Sequence, residues 1–189
     1  TFSESNTVFH NELDLTKTLR SHIAEDVALW VKKLIDGNSS SANELSIKIR
    51  EQGFELYITR DLDRAKLYAA GRYEGQNEKR FGIIASAKDK ILPAFGVDND
   101  FMTTRRFKGG PWFNDPPNSV ASCCALNSVA TEFQCQGLEL DLPIVCWGDD
   151  LLWDDGWKTK KTTRRSKAKD PHTLRLNSYR VLLSRGRDG

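Results

Sequence analysis

FELYITRDLDRAKLYAAGRYEGQNEKRFGIIAS (54–86) is the stretch on which the fold turns. FELYIT (54–59) has the aromatic and β-branched content of a strand. Asp61 can then cap a helix carrying Leu62, Ala65, Leu67, Tyr68 and Ala69. RFGIIAS (80–86) is a short apolar run between turn formers, as expected of a strand buried on both faces. A weaker helical stretch follows over 87–92.

The alternation continues outward from this core. Ile23, Val27, Trp30, Val31 and Leu34 recur at steps of three and four, which predicts a helix over 21–36 with Ser21 as N-cap and Gly37 as stop. GNSSSANEL (37–45) reads as a polar loop. The three prolines and many turn formers of GVDNDFMTTRRFKGGPWFNDPPN (96–118) predict a long ordered loop, and a second long loop is expected over 156–171. SVATEF (128–133) and LPIVCWG (142–148) read as strands, and LRLNSYRVLLSR (174–185) has helical spacing. Strands alternating with helices imply a single α/β domain over 1–189. Its central sheet is mostly parallel and covered by helices on both faces, with ligands expected at the carboxyl ends of the strands.

Composition sets bounds but assigns no activity. Of 189 residues, 39% are hydrophobic and 29% charged, which excludes collagen-like, coiled-coil and wholly disordered chains. A net charge of +2 is too small to announce nucleic-acid binding by itself, although a balanced total can conceal a basic stripe. No run of apolar residues is long enough to span a bilayer, and the first residues lack the order of a secretory signal. A cytoplasmic protein with no membrane partner is therefore expected. Thr1 and the final RDG suggest a fragment of a longer polypeptide. Cys123, Cys124, Cys135 and Cys146 match no zinc or disulfide pattern, so reduced, partly buried thiols are expected and no metal site.

The chemistry-bearing segments lie in the second half. No GxxxxGK followed by Ser or Thr is present, so the chain lacks the loop that cradles phosphates and helps hold magnesium. In TEFQCQGLELD (131–141) a strand runs into Gln136, Gly137, Leu138 and Glu139; glycine permits close backbone approach and a carboxylate suits a ribose hydroxyl. An ordinary turn after a strand has the same composition. In NSYRVLLSRGRDG (177–189), Arg180, Arg185 and Arg187 lie on or just beyond a helix, where a guanidinium can reach a γ-phosphate or simply face water.

GWKTKKTTRRSKAK (156–169) gathers Lys158, Lys160, Lys161, Arg164, Arg165, Lys167 and Lys169, either a phosphate-contacting or a merely solvated stretch. Trp112, Phe113, Trp147, Trp153 and Trp157 suit core packing better than stacking on bases. Asp149, Asp150, Asp154 and Asp155 read as solvated turn carboxylates, because their spacing is not that of a calcium loop. His10, His22 and His172 have no ligand-spaced neighbours.

In this order and spacing, TEFQCQGLELD and NSYRVLLSRG resemble motifs V and VI of superfamily 1 helicases, most closely those of the Schlafen group 3-like DNA/RNA helicase domain family. LTKTLRSHIAEDVALWVKKLIDG (15–37) resembles motif IV. The likeness runs from about residue 13 to 189 and implies the C-terminal half of a helicase core, a RecA-like three-layer domain. It implies Arg185 and Arg20 at a γ-phosphate, and Gly137, Glu139 and Arg180 around ATP, with Thr131 and the basic stretch 158–165 near single-stranded DNA or RNA. Phe133 and Gln136 stand where many superfamily 1 helicases carry His and Lys. ATP and Mg2+ would be completed by an N-terminal RecA-like domain of the same polypeptide, so this chain alone is expected not to hydrolyse ATP. A nucleotide-dependent switch, or an interaction module without helicase activity, is the alternative.

Overall fold

The computed structural model describes residues 22–160 and 170–189. The first helix, α1 (His22–Ile35), is 14 residues long and ends just before Gly37, which takes a left-handed φ of 78°. α2 (Ser39–Glu51) follows at once, then α3 (Leu62–Arg72) and β1 (Phe81–Ala85). The chain from β1 to β2 (Val129–Thr131) carries two short helices, α4 (Phe101–Thr104) and α5 (Gly109–Asn114), and two 3-10 turns at Leu92–Phe95 and Cys123–Ala125. β3 (Leu142–Cys146) leads into a hairpin of β4 (Leu151–Trp153) and β5 (Trp157–Thr159), and α6 (Pro171–Leu183) comes last.

The fold is mixed α/β. Its sheet has the order β2-β1-β3 with every pair parallel, Ile83 lying beside both Val129 and Ile144. All five residues of β1 are buried, as the continuous apolar run requires of a central parallel strand. Ile84 and Ala130 enter the larger core with Val27, Trp30 and Val31 of α1, Ile49 of α2 and Leu182 of α6. Ile83, Ala85 and Val129 enter a smaller one with Leu92 and Val97, edged by Leu62 of α3. Helices therefore pack against the three-stranded parallel sheet as expected.

Several local expectations are corrected. The polar run 37–45 is largely helix, because the Asn38 side chain accepts from the Ser41 amide at 3.1 Å and Ala42 and Ile49, seven residues apart, give α2 a narrow buried stripe against α1. FELYIT forms no strand: Phe54 is buried, but Tyr57 and Ile58 face solvent, and the segment's link to the last turn of the chain is Glu55 N–H to Asp188 O at 2.7 Å. Over 87–92 a turn replaces the expected helix. The predicted loop 96–118 contains α4 and α5, and the loop 156–171 begins as β5 and ends in the first turn of α6. That turn is capped by the Asp170 carboxylate on the Thr173 amide, with Pro171 at the first helical position.

The aspartates after β3 are not solvated as a group. Asp150 is buried; it accepts from the Ser86 hydroxyl and the Tyr179 hydroxyl, each at 2.6 Å, and pairs with Arg175 Nε at 2.8 Å. Arg175 also donates to Ser86 Oγ at 3.1 Å. Arg175 and Tyr179 are four residues apart on one face of α6, so a single carboxylate ties that helix to the ends of β1 and β3. Asp149 is half-buried and pairs with Lys160, and Asp154, exposed, pairs with Lys158.

Asp89 fastens the same region from the other side. One carboxylate oxygen accepts from Ile91 and Leu92 amides at 3.0 and 3.1 Å, the other from Asp149 and Asp150 amides at 2.7 and 3.2 Å. Gly148 makes this possible, because a Cβ there would fall on the Asp89 carboxylate.

Asp150→Ala leaves Arg175 buried without its carboxylate, and urea denaturation should show a loss of about 3–5 kcal/mol. Asp154→Ala, which breaks an exposed pair, should be indistinguishable from wild type in the same measurement. Gly148→Ala should lower stability by about 1–3 kcal/mol through overpacking against Asp89.

Candidate functional site

The chain leaves β2 at Thr131 in a tightly bonded turn, at the carboxyl end of the parallel sheet where open α/β folds place ligands. Thr131 O accepts from the amides of Gln134 and Cys135, both at 2.9 Å. The Thr131 amide and hydroxyl in turn donate to Gln134 Oε1 at 2.7 and 2.9 Å. Gln134 Nε2 reaches across to Thr104 O at 2.8 Å. These bonds end β2 three residues after it begins and turn 132–139 back over the sheet. Gly137 has a φ of 82°, in the left-handed region that disfavours any other residue, and the space where a Cβ would stand is open.

Two further contacts fix the turn. Buried Glu132 accepts from the Ala87 amide at 2.8 Å and from the Ser178 hydroxyl at 3.0 Å, joining it to the end of β1 and to α6. Beyond the turn, Leu140 N–H donates to Arg185 O and Arg187 N–H to Leu140 O, both at 2.9 Å, a parallel bridge that zips 140 to 186.

This zipper brings Arg185, Gly137, Leu138 and Glu139 into one neighbourhood. The half-buried Arg185 guanidinium donates from Nη1 to Leu138 O at 3.1 Å, from Nε to Val181 O at 3.0 Å and from Nη2 to Ser184 Oγ at 2.9 Å. All three acceptors are neutral, and among the described residues no carboxylate lies within ion-pair distance of it. Its charge is felt nearby: burial pushes the Cys135 thiol up to about 11 while Arg185 pulls the other way. Glu139 pairs with Arg187 at 3.2 Å.

The remaining candidate residues are placed differently. Arg180 is exposed, engages Asn177, and lies 3.8 Å from Asp36 beyond α1. Thr131 is buried with its hydroxyl bonded to Gln134. Lys158 and Lys160 are exposed on and just after β5, each paired with an aspartate. Arg20, Lys161, Arg164 and Arg165, with His10, Lys167 and Lys169, lie outside the described residues.

The tryptophans chiefly pack. Trp112 is buried, and Trp147 stacks on Tyr179 with centroids 4.0 Å apart and on Trp157 at 5.3 Å. Trp157 Nε1 donates to Leu34 O at 2.8 Å, clamping the hairpin to α1, while Trp153 stays half exposed. All four cysteines are free thiols. Among the described residues no group of three or more His, Cys, Asp or Glu side chains could hold a metal ion, and no helix is long and apolar enough to cross a membrane.

Sequence reasoning missed the polar cluster of Ser86, Glu132, Asp150, Arg175 and Tyr179. A signal existed in the i, i+4 spacing of Arg175 and Tyr179, two polar groups on the helix face that also presents Leu182 to the core.

No curated protein and no solved structure matches the chain. A family model does, the Schlafen group 3 DNA/RNA helicase domain, and it matches residues 1–189. With its parallel sheet and its turn and arginine helix brought together at the strand ends, this chain belongs to the Schlafen group 3 DNA/RNA helicase domain family.

Proposed function

We propose that the chain is the C-terminal, RecA-like motor half of an ATP-dependent helicase or translocase acting on single-stranded DNA or RNA. The observation that carries this reading is the setting of Arg185. Among the described residues its guanidinium has neutral acceptors alone, Leu138 O of the 131–139 turn with Val181 O and Ser184 Oγ beside it, whereas Arg175 and Arg187 already have carboxylates at 2.8 and 3.2 Å. A half-buried cation lacking a counter-ion gains most from an arriving anion, because a charged acceptor strengthens its hydrogen bonds about twofold.

In this role Arg185 swings from Val181 O and Leu138 O to the γ-phosphate of a nucleotide and stabilises charge on the transferring phosphoryl group. Arg20 approaches the same phosphate. Gly137 lets the backbone come close, and Glu139, released from Arg187, accepts from a ribose hydroxyl. Arg180 serves the nucleotide only after it leaves Asp36. The phosphate-cradling loop and the magnesium ligands come from an N-terminal RecA-like domain of the same polypeptide, since the sequence here carries no phosphate-binding loop. Closure of the two halves on ATP then drives movement along the strand.

ATP hydrolysis by the full-length polypeptide, with and without single-stranded nucleic acid, tests this directly. Arg185→Ala should lower strand-stimulated turnover by about three orders of magnitude or more with folding intact, and the 189-residue chain alone should show none. Arg185→Lys should recover only a small part, because a point charge does not replace a planar fork. Turnover indifferent to both nucleic acid and Arg185 would favour a nucleotide-dependent switch or an interaction module instead.

A further inference from the structure

The connection between β1 and β2 contains an exposed surface that the ATP site does not use. α4 opens with Phe101 and Met102, which are 74% and 66% exposed, and is followed by Arg105 and Arg106, both exposed. The turn is well anchored. The Asp100 carboxylate accepts from the Thr103 hydroxyl at 2.7 Å and from the Met102 and Thr103 amides at 2.7 and 3.2 Å. Led by the Thr103 hydroxyl, these bonds hold its carboxyl below the usual range. Two large apolar side chains therefore face water on a capped turn. Such exposure costs hydration free energy and is a mark of an interaction site when it is clustered.

Phe101 and Met102 lie in α4, with Arg105 as its C-cap and Arg106 next in the chain, so two cations follow directly on the two apolar side chains. Among the described residues neither arginine has a carboxylate within 4 Å, unlike Arg72, Arg175 and Arg187. Arg106 continues into a groove of about 300 Å³ whose walls include Thr103, Lys108, Pro111, Val120 and Asn127. Phe133, 69% exposed, adds a second aromatic from the end of β2. Its neighbour Gln134 is bonded to Thr104 O, which holds the two segments side by side.

We propose that α4, with Phe133 beside it, is a platform for single-stranded nucleic acid. Unpaired bases stack on Phe101 and Phe133 with Met102 filling between them, and Arg105, Arg106 and Lys108 take the backbone phosphates. A strand offers flat apolar bases and anionic phosphates at alternating points, the complement of apolar side chains on α4 and cationic ones in the turn that follows it. An uncharged apolar protein face would leave the arginines without partners. The inference rests on the reading that the protein works on nucleic acid, and it names the surface that does so. Because every base has a π-face, DNA and RNA of any sequence should bind.

The test is fluorescence anisotropy of labelled oligothymidine and oligouridine, about 20 nucleotides long to exceed the site size of one such groove, with the full-length polypeptide over a salt series. Phe101→Ala should weaken binding by about tenfold, and Phe101→Trp, which keeps a stacking face, should restore it. The double variant Arg105→Ala, Arg106→Ala should weaken both oligonucleotides alike and flatten the slope of log affinity against log salt by about 1.4, two phosphate contacts' worth. All three positions are exposed, so circular dichroism should match wild type. If wild type binds and both alanine variants bind with unchanged affinity and salt slope, the platform is wrong while the nucleic-acid reading stands, and the surface belongs to a protein partner. If wild type binds neither oligonucleotide, the reading fails and takes the platform with it.

Discussion

Asp150 is a buried carboxylate at the place where the sheet, the β4–β5 hairpin and α6 meet, and the geometry of the candidate site follows from how that carboxylate is satisfied. Isolated in an apolar interior it would cost several kcal/mol, so it must be both paired and hydrogen-bonded. Arg175, Tyr179 and Ser86 do this together. Two of the three come from α6, and their bonds fix the helix in rotation as well as position. Ten residues on from Arg175, the same helix delivers Arg185 to the 131–139 turn. Burial and the Asp150 charge also push the Tyr179 phenol up, so it remains a donor to the carboxylate across the physiological range. Asp89 completes the frame by clamping the turn after β3 against the turn after β1.

The sequence made the periodic elements legible and left unread whatever depended on a long-range partner. α1, α3, β1, β3 and α6 were readable because their apolar spacing or apolar runs reflect burial directly. α2 was hidden by three serines, residues that favour caps and turns in isolation; its two buried positions and the packing of α1 outweighed that preference. FELYIT misleads for the opposite reason. Its composition suits a pleated surface, but a strand exists only with a neighbour, and Ile58 stands in solvent. In the candidate site, motif resemblance and not spacing singles out both Arg185 and 137–139, and the structure brings Arg185 to Leu138 O. Asp150 reads as solvated because adjacent aspartates after a strand usually are, and nothing local discloses an arginine 25 positions later in the sequence.

The arginines of this region sort by what neutralises them. Arg175 is half of a buried pair and acts structurally. Arg187 meets Glu139 near the surface, where the pair is weak and exchangeable. Arg185 has carbonyls and a hydroxyl, which orient a guanidinium without cancelling its charge. On the proposed reading this suits a cation that binds an anion intermittently: pre-positioned, so that little side-chain entropy is lost on binding, and, among the described residues, not already paired.

The 131–139 turn links the two proposed surfaces over a short covalent path. At one end Gln134 bridges Thr131 and Thr104 O, on the α4 side; at the other Leu138 O receives Arg185. Between them Leu138 N–H closes on Cys135 O, and Gly137 supplies the one residue whose backbone conformation is unusual. A guanidinium that leaves Leu138 O for a phosphate removes one of the bonds that hold this turn, and the nearest element able to respond is the Gln134 bridge to α4. Coupling between nucleotide and strand would then need no rearrangement of the sheet, since β1 stays buried on both faces and Glu132 keeps the base of the turn tied to Ala87 and Ser178. On the proposed reading the change would be confined to side chains and to the one left-handed glycine of the turn.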